Sequence, residues 1–262
     1  TTLVEIHSYY KTQIEIAKRV NLVYDFALPP LILHTLLERD ANALMHWLRI
    51  SPRNCITVLD THDGIGIIDV GPYKGEPGLL DEQQIDRLVT RIHENSKGES
   101  VKATGAAASN VDLYQVNCSY YGALGYDDKL YLLARAIQFF APGTPQVYYA
   151  GLLAAHNDMV LLDATQVGRD INRPYLDSDA IRDLQDQDVV KALCQLIQIR
   201  NSSPAFDGRF ALEGTQQDLI LQWVNGDSRA QLVVDLGKMN AVITLSESDK
   251  LRTYRLKQLF LE

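Results

Sequence analysis

The 262-residue sequence has only three cysteines and no apolar run approaching the roughly 18 residues of a membrane span. Its opening, Thr1-Thr2-Leu3-Val4-Glu5, lacks a basic stretch and a small-residue cleavage site, so no signal peptide is read there. Cys55, Cys118 and Cys194 are odd in number, widely spaced and set among apolar or aromatic neighbours. That pattern supports neither a disulfide framework nor a cysteine metal site, and it predicts buried free thiols in a reducing, cytoplasmic setting. Positive charge is in the minority, 25 Lys and Arg against 33 Asp and Glu for a net −8, with no basic cluster. Nucleic acid and anionic membranes are therefore not expected as the main partners. Repeats and low-complexity segments are also missing. The remaining composition, 46% hydrophobic and 22% charged, is that of a globular protein with a sizeable core.

Hydrophobic patterning then organises the chain. Leu3-Val4-Glu5-Ile6-His7 reads as a short strand entered mid-course, followed by helical spacing over residues 9–20. Val23-Tyr24-Asp25-Phe26-Ala27-Leu28 reads as a second strand, stopped by Pro29 and Pro30, and Pro30 suits the first turn of a helix over 31–48. Cys55-Ile56-Thr57-Val58-Leu59 is nearly continuous in apolar character, as befits a parallel strand covered on both faces. Residues 64–126 are richer in glycine and polar groups, with one good helix over 81–94 and a loop at Ala103-Thr104-Gly105-Ala106-Ala107-Ala108-Ser109-Asn110. Alternation resumes with a helix over 128–140, a strand at Gln146-Val147-Tyr148-Tyr149, a long polar loop, and a helix over 188–200. Beyond Pro204 the texture becomes all-β, with a hairpin turning at Asn225-Gly226-Asp227. The fold class expected is α/β: the C-terminal half of a (β/α)8 barrel with an inserted loop-rich subdomain, then a small antiparallel β domain. The division is 1–63 for barrel strands 5–7 with their helices and 64–126 for the insertion and substrate loop. Residues 127–204 carry the last barrel helices and strand 8, and 205–262 form the β domain.

In such a barrel the side chains at the C-terminal ends of strands face the active site. Glu5, His7, Asp60, Thr61, His62, Asp63, Tyr148 and Tyr149 all fall at strand ends. Two carboxylates from different strands can converge on one small ligand, the arrangement that glycoside chemistry requires: one protonated to assist the leaving oxygen, another charged. Spacing by itself leaves other readings open, because acidic residues also end strands as caps or surface groups. His34, His46, Trp47 and His93 fall on helical faces and read as structural.

More specific words stand in order along the chain. They are Val4-Glu5-Ile6-His7-Ser8-Tyr9-Tyr10, Tyr24-Asp25-Phe26-Ala27-Leu28-Pro29-Pro30 and Val58-Leu59-Asp60-Thr61-His62-Asp63-Gly64-Ile65-Gly66, then Asp112-Leu113-Tyr114-Gln115-Val116-Asn117, Pro145-Gln146-Val147-Tyr148-Tyr149 and Gly168-Arg169-Asp170-Ile171-Asn172-Arg173. Over residues 3–210 the sequence thereby resembles the sucrose phosphorylases of the α-amylase superfamily. The His-Asp pair after an apolar strand is common to the superfamily, whereas the Asp-Leu-Tyr-Gln and Gly-Arg-Asp-Ile-Asn-Arg stretches point to the phosphorylase branch. The resemblance implies that Glu5 is the general acid/base and Asp63 the carboxylate that stabilises the transition state. It implies that His62 hydrogen-bonds the glucosyl ring, that Asp112, Leu113, Tyr114 and Gln115 form a mobile loop over the acceptor side, and that Arg169 bridges sugar or phosphate groups. His7 and Tyr148 read as packing or supporting residues. The reaction implied converts sucrose and phosphate to α-D-glucose 1-phosphate and D-fructose, with retention through a glucosyl-enzyme ester, inorganic phosphate as co-substrate and no metal or organic cofactor.

The family's nucleophile, an aspartate in an Arg-x-Asp context upstream of the acid/base, has no counterpart before Glu5, and Arg169-Asp170 lies downstream in another family element. The resemblance therefore implies that this chain alone is inactive on sucrose and works with a complementary N-terminal half or as a homodimer. The alternatives are a phosphorylase of sucrose 6′-phosphate or glucosylglycerate, an α-glucoside hydrolase, or a non-catalytic half-barrel that assembles with another chain or binds sugar.

Overall fold

The structure, a computed structural model, describes residues 1–104, 113–248 and 250–256. Strand β1 (Leu3–Val4) leads through helix α1 (Tyr10–Ala17) to β2 (Leu22–Asp25), and α2 (Leu28–Glu38) and α3 (Asn42–Ile50) lead on to β3 (Cys55–Thr57). The chain then leaves the sheet for β4 (Ile65–Gly66), α4 (Glu82–Asn95), α5 (Glu99–Thr104), β5 (Gln115–Val116) and α6 (Tyr120–Ala123). Helix α7 (Asp128–Phe140) returns it to β6 (Thr144–Pro145). These four strands form one parallel sheet in the order β1-β2-β3-β6, while β4 and β5 make a separate antiparallel pair. Helices α8 (Tyr149–Leu152), α9 (Met159–Thr165), α10 (Ser178–Gln185) and α11 (Asp188–Ser202) complete this part.

Local chemistry explains where the elements start and stop. Asp25 ends β2, and its buried carboxylate accepts the Leu28 N–H at 3.1 Å and the Trp47 Nε1–H at 3.0 Å, tying strand, α2 and α3 together. Pro29 and Pro30 occupy the first turn of α2, where a missing N–H costs nothing. The single helix expected over 31–48 is two helices, because Arg39 adopts a left-handed φ of 54° and Asp40 accepts the Asn42 N–H to open the next. Helix α4 begins at a capping box in which the Asp81 carboxylate and the Gln84 backbone, and the Gln84 amide and the Asp81 backbone, bond reciprocally.

Other expectations need correction. The strand placed at 146–149 lies at Thr144–Pro145, because the Gln138 side chain takes the Gln146 carbonyl at 2.9 Å and Tyr149 opens α8. Among its described residues the insertion has three helices rather than one, and Ala103 and Thr104 close α5 instead of starting a loop; residues 105–110 lie outside those described. The polar stretch before 188 contains α9 and α10, started by the side-chain caps Asp158 and Asp177. Cys55 and Cys118 are buried as expected, but Cys194 is exposed, on the outer face of α11.

The C-terminal part is a five-stranded antiparallel sheet ordered β11-β10-β9-β8-β7, made of β7 (Arg209–Gly214), β8 (Asp218–Asn225), β9 (Ser228–Asp235), β10 (Asn240–Glu247) and β11 (Lys250–Arg255). The expected hairpin forms, with Asn225 paired to Ser228 across Gly226 and Asp227. Period-two burial puts Leu219, Leu221 and Trp223 inward, and the Trp223 indole donates to the Phe140 carbonyl at 2.8 Å. One hydrophobic cluster runs from α2 through α7 into this sheet. Among the described residues no helix is long and apolar enough to cross a membrane.

Burial pushes the Asp25 carboxyl up to about 7, against the bonds from Trp47 and Leu28. The folded state therefore holds a proton that the unfolded chain releases at about pH 4. Stability from this group is complete below that value and is lost as pH rises through the folded pKa. Asp25→Asn should flatten the decline in urea-unfolding free energy between those two pH values by a few kcal/mol, and an unchanged slope would contradict this.

Candidate active site

The four parallel strands end on one side, and the segments after two of them, β1 and β3, bring charged side chains to the same place. Glu5 follows β1 directly, and its Oε1 lies 4.0 Å from His62 Nε2. His62 Nε2 is 3.6 Å from Asp63 Oδ1. One oxygen or nitrogen from each of Glu5, His62 and Asp63 falls within 4.8 Å of the others. The Arg169 guanidinium closes the group at 2.5 Å from Asp63 Oδ1.

The residues leading to His62 and Asp63 are fixed from below. Asp60 Oδ2 takes a 2.6 Å hydrogen bond from Nη2 of the wholly buried Arg135 on α7. Arg135 also donates to the Tyr131 hydroxyl and to Gln138 Oε1, and Gln138 reaches the Thr57 carbonyl at the end of β3. The pair requires glycine at 151: a Cβ there would lie 1.8 Å from Asp60 Oδ2 and 2.2 Å from Arg135 Nη2. Above, the 3-10 turn Gly168–Asn172 folds over the mouth. The Asn172 amide donates to the Thr61 and Asp63 carbonyls at 3.0 and 2.9 Å, and Arg173 Nε donates to the His62 carbonyl at 2.7 Å. The Tyr149 hydroxyl holds the far side of this turn through the Pro174 carbonyl.

The two carboxylates thus sit in unlike surroundings. Glu5 is half-exposed, with 48% of its side chain accessible, whereas Asp63 retains 14%. Burial alone would push the Asp63 carboxyl up, but the Arg169 hydrogen bond and the charges of His62 and Arg169 outweigh it and hold the group below the usual carboxylate range. Glu5, His62 and Asp63 are donors that a cation could use. The guanidinium of Arg169 on Asp63, with that of Arg173 at 3.5 Å, already supplies countercharge to that carboxylate.

The other expected site residues distribute unevenly. Tyr114 is exposed and meets the edge of the His7 ring at 5.6 Å between centroids, so it borders the mouth. Gln115 lies in β5 opposite Gly66, and Leu113 packs against the main core. Asp112 lies outside the described residues. The sequence reading missed Asn172 and Arg173 as supports of Asp63, although both stand in the Gly168 to Arg173 stretch that it singled out. It also passed over Arg135, whose signal was a lone guanidinium inside the apolar run Tyr131-Leu132-Leu133-Ala134-Arg135-Ala136-Ile137.

Replacing Arg169 by leucine should move the Asp63 titration upward, because the largest opposing influence to burial is lost. Carbon-13 NMR of the aspartate carboxyls reads this directly, and an Asp63 titration unaltered by Arg169→Leu would show that the contact is not made in solution.

No family model matches the chain. The sucrose phosphorylase of Agrobacterium vitis is 59% identical over 246 residues, 93% of this chain and 50% of that protein. The crystal structure of a sucrose 6F-phosphate phosphorylase from Thermoanaerobacter thermosaccharolyticum superposes with a TM-score of 0.84 at 36% identity, covering 97% of this chain and 51% of that one. An α-amylase from H. orenii shares the fold alone, with a TM-score of 0.56 at 13% identity over 89% of this chain and 43% of that one. The chain spans about half the length of the relatives it matches. It is thus a relative of the sucrose phosphorylases, and it corresponds to the C-terminal half of such a protein.

Proposed function

We propose that this chain carries the acid/base side of a retaining phosphorylase that converts sucrose and phosphate to α-D-glucose 1-phosphate and D-fructose. The observation that supports this is the meeting of Glu5, His62, Asp63 and Arg169 at one end of a parallel sheet. In this reading the parallel sheet is half of a (β/α)8 barrel. Residues 1–63 carry strands 5–7, 64–126 the inserted subdomain, 127–204 the last helices and strand 8, and 205–262 the appended β domain. A nucleophilic carboxylate from polypeptide outside this sequence completes the site.

Glu5, the more open of the two acids, donates its proton to the fructosyl oxygen as the carbon–oxygen bond to glucose breaks and the glucosyl ester forms. Phosphate then attacks the same carbon, Glu5 takes the proton that phosphate gives up, and the ester carboxylate leaves with its electron pair. Two inversions give net retention. Asp63, kept ionised by Arg169, binds glucosyl hydroxyls and opposes the positive charge that develops on the ring. His62 bonds the same ring from beside Asp63. Arg169 is half-exposed and can exchange part of its hold on Asp63 for a phosphate or sugar oxygen. Asp112, Leu113, Tyr114 and Gln115 shape the acceptor side, where fructose and phosphate alternate.

These steps call on no metal or organic cofactor. We assign the enzyme to the cytoplasm, with a complementary N-terminal half or a second copy of the chain covering the free edges of β1 and β6. Sucrose is favoured as donor over sucrose 6F-phosphate because identity is 59% and 52% to two relatives named for sucrose and 40% to one named for sucrose 6F-phosphate.

With sucrose and phosphate, the 262-residue chain by itself should form no glucose 1-phosphate. Joined to the N-terminal half of the Agrobacterium vitis relative it should do so, and Glu5→Gln in that joined protein should lower the rate by about 10²- to 10⁴-fold. Phosphorolysis by the chain alone, or a joined protein indifferent to Glu5→Gln, would refute the reading.

A further inference from the structure

Six residues beyond Asp63 stands Asp69, a wholly buried acid that the reaction above leaves unused. Its Oδ1 accepts the Ser8 N–H at 3.0 Å and the Gln13 amide at 2.7 Å, and its Oδ2 lies 2.7 Å from His7 Nδ1. The same Gln13 nitrogen donates to the Ser8 carbonyl at 2.8 Å, so its two hydrogens face two acceptors and the amide has one satisfactory orientation. Burial pushes the Asp69 carboxyl up, while the bond and charge of His7 pull against it. Both obligate N–H donors, from Ser8 and Gln13, fall on Oδ1, which leaves Oδ2 facing His7 Nδ1, and an ionised carboxyl can only accept there. An ionised Asp69 therefore pairs with an Nδ1–H, and in that neutral tautomer the lone pair lies on Nε2.

The placement of that ring is over-determined. It stacks on Phe26 at 3.8 Å between centroids and 14° between planes, and it lines a cavity shared with Asp60, Thr61 and Asp63. Its Nε2 is buried and has no hydrogen-bond partner among the described residues. Gly66 leaves room for the pair: a Cβ there would lie 1.9 Å from Asp69 Oδ2 and 2.8 Å from His7 Nδ1. An unpartnered acceptor beside the candidate transition-state carboxylate is the mark of a group awaiting a ligand donor.

We propose that Asp69 is a positioning residue that acts through His7, fixing the imidazole as the Nδ1–H tautomer so that Nε2 accepts a hydrogen bond from a hydroxyl of the bound sugar. The ligand in this statement rests on the glucosyl-transfer reading; the tautomer does not. Long-range proton–nitrogen NMR of the histidine-labelled 262-residue chain, at mildly alkaline pH, should show His7 protonated on Nδ1, opposite to the preference of free histidine in water. Asp69→Asn should lose that pattern, because its amide can donate to Nδ1, whereas Gln13→Met should keep it. Sucrose should then shift the wild-type Nε2 resonance several-fold more than that of Asp69→Asn.

A wild-type His7 protonated on Nε2, an Asp69→Asn variant that stays protonated on Nδ1, or equal sugar responses would each overturn the proposal. If Asp69→Asn does not fold, the wild-type tautomer decides by itself. No turnover enters these spectra, so an Nδ1–H tautomer in a protein that performs no phosphorolysis would refute the reaction and leave the role of Asp69 standing.

Discussion

A guanidinium shut away from water holds the mouth of this fold in place. Arg135 is fully buried in α7, and its 2.6 Å bond to Asp60 fastens the segment after β3 to that helix. An isolated charge at that depth would be expensive, and the Tyr131 hydroxyl and the Gln138 amide oxygen accept further bonds from it. Removing one partner of such a pair typically costs about 3–5 kcal/mol, because the other charge is left stranded. His62 and Asp63 follow Asp60 within three residues, so their position is inherited from this contact.

On that foundation the mouth is built from unequal halves. The side bearing Asp63 is braced from below by Asp60 and from above by Asn172, Arg173 and Arg169, which keeps its carboxyl charged. The side bearing Glu5 has a two-residue strand beneath it and half of its side chain in solvent. Two carboxylates in different environments can take different protonation states at one pH, which is the division of labour that retaining glucosyl transfer needs. Asp69 joins the halves, since it sits in the segment after Asp63 and takes its three bonds from residues 7, 8 and 13 just beyond Glu5.

Much of this architecture was legible in the sequence where a physical rule acts locally. The apolar runs located β1, β2 and β3 to within a few residues, the prolines marked α2, and Asn225-Gly226-Asp227 marked its hairpin. Legibility failed where tertiary contacts overrode pattern. The break at Arg39 needs a left-handed backbone that nothing but the Asp40 cap announces. The displaced β6 depends on Gln138, whose partners Thr57 and Gln146 lie on other elements. Helices α9 and α10 looked like loop because their faces are mostly polar; α10 has no fully buried residue. In the site, family-like words carried Glu5, His62, Asp63 and Arg169, and spacing alone did not. Asp69 and Arg135 were passed over because a single charge inside an apolar run carries no motif, even though its burial forces a partner into existence.

Everything functional depends on Glu5 and Asp63 opening onto one shared space. Dibromobimane tests this directly, since it fluoresces strongly once it bridges two neighbouring thiols. In a Cys194→Ser background, the double variant Glu5→Cys, Asp63→Cys should gain fluorescence and the mass of one internal bridge, while each single variant takes up an unbridged adduct. Two separate adducts on the double variant, without fluorescence, would place the two side chains apart and contradict the shared site.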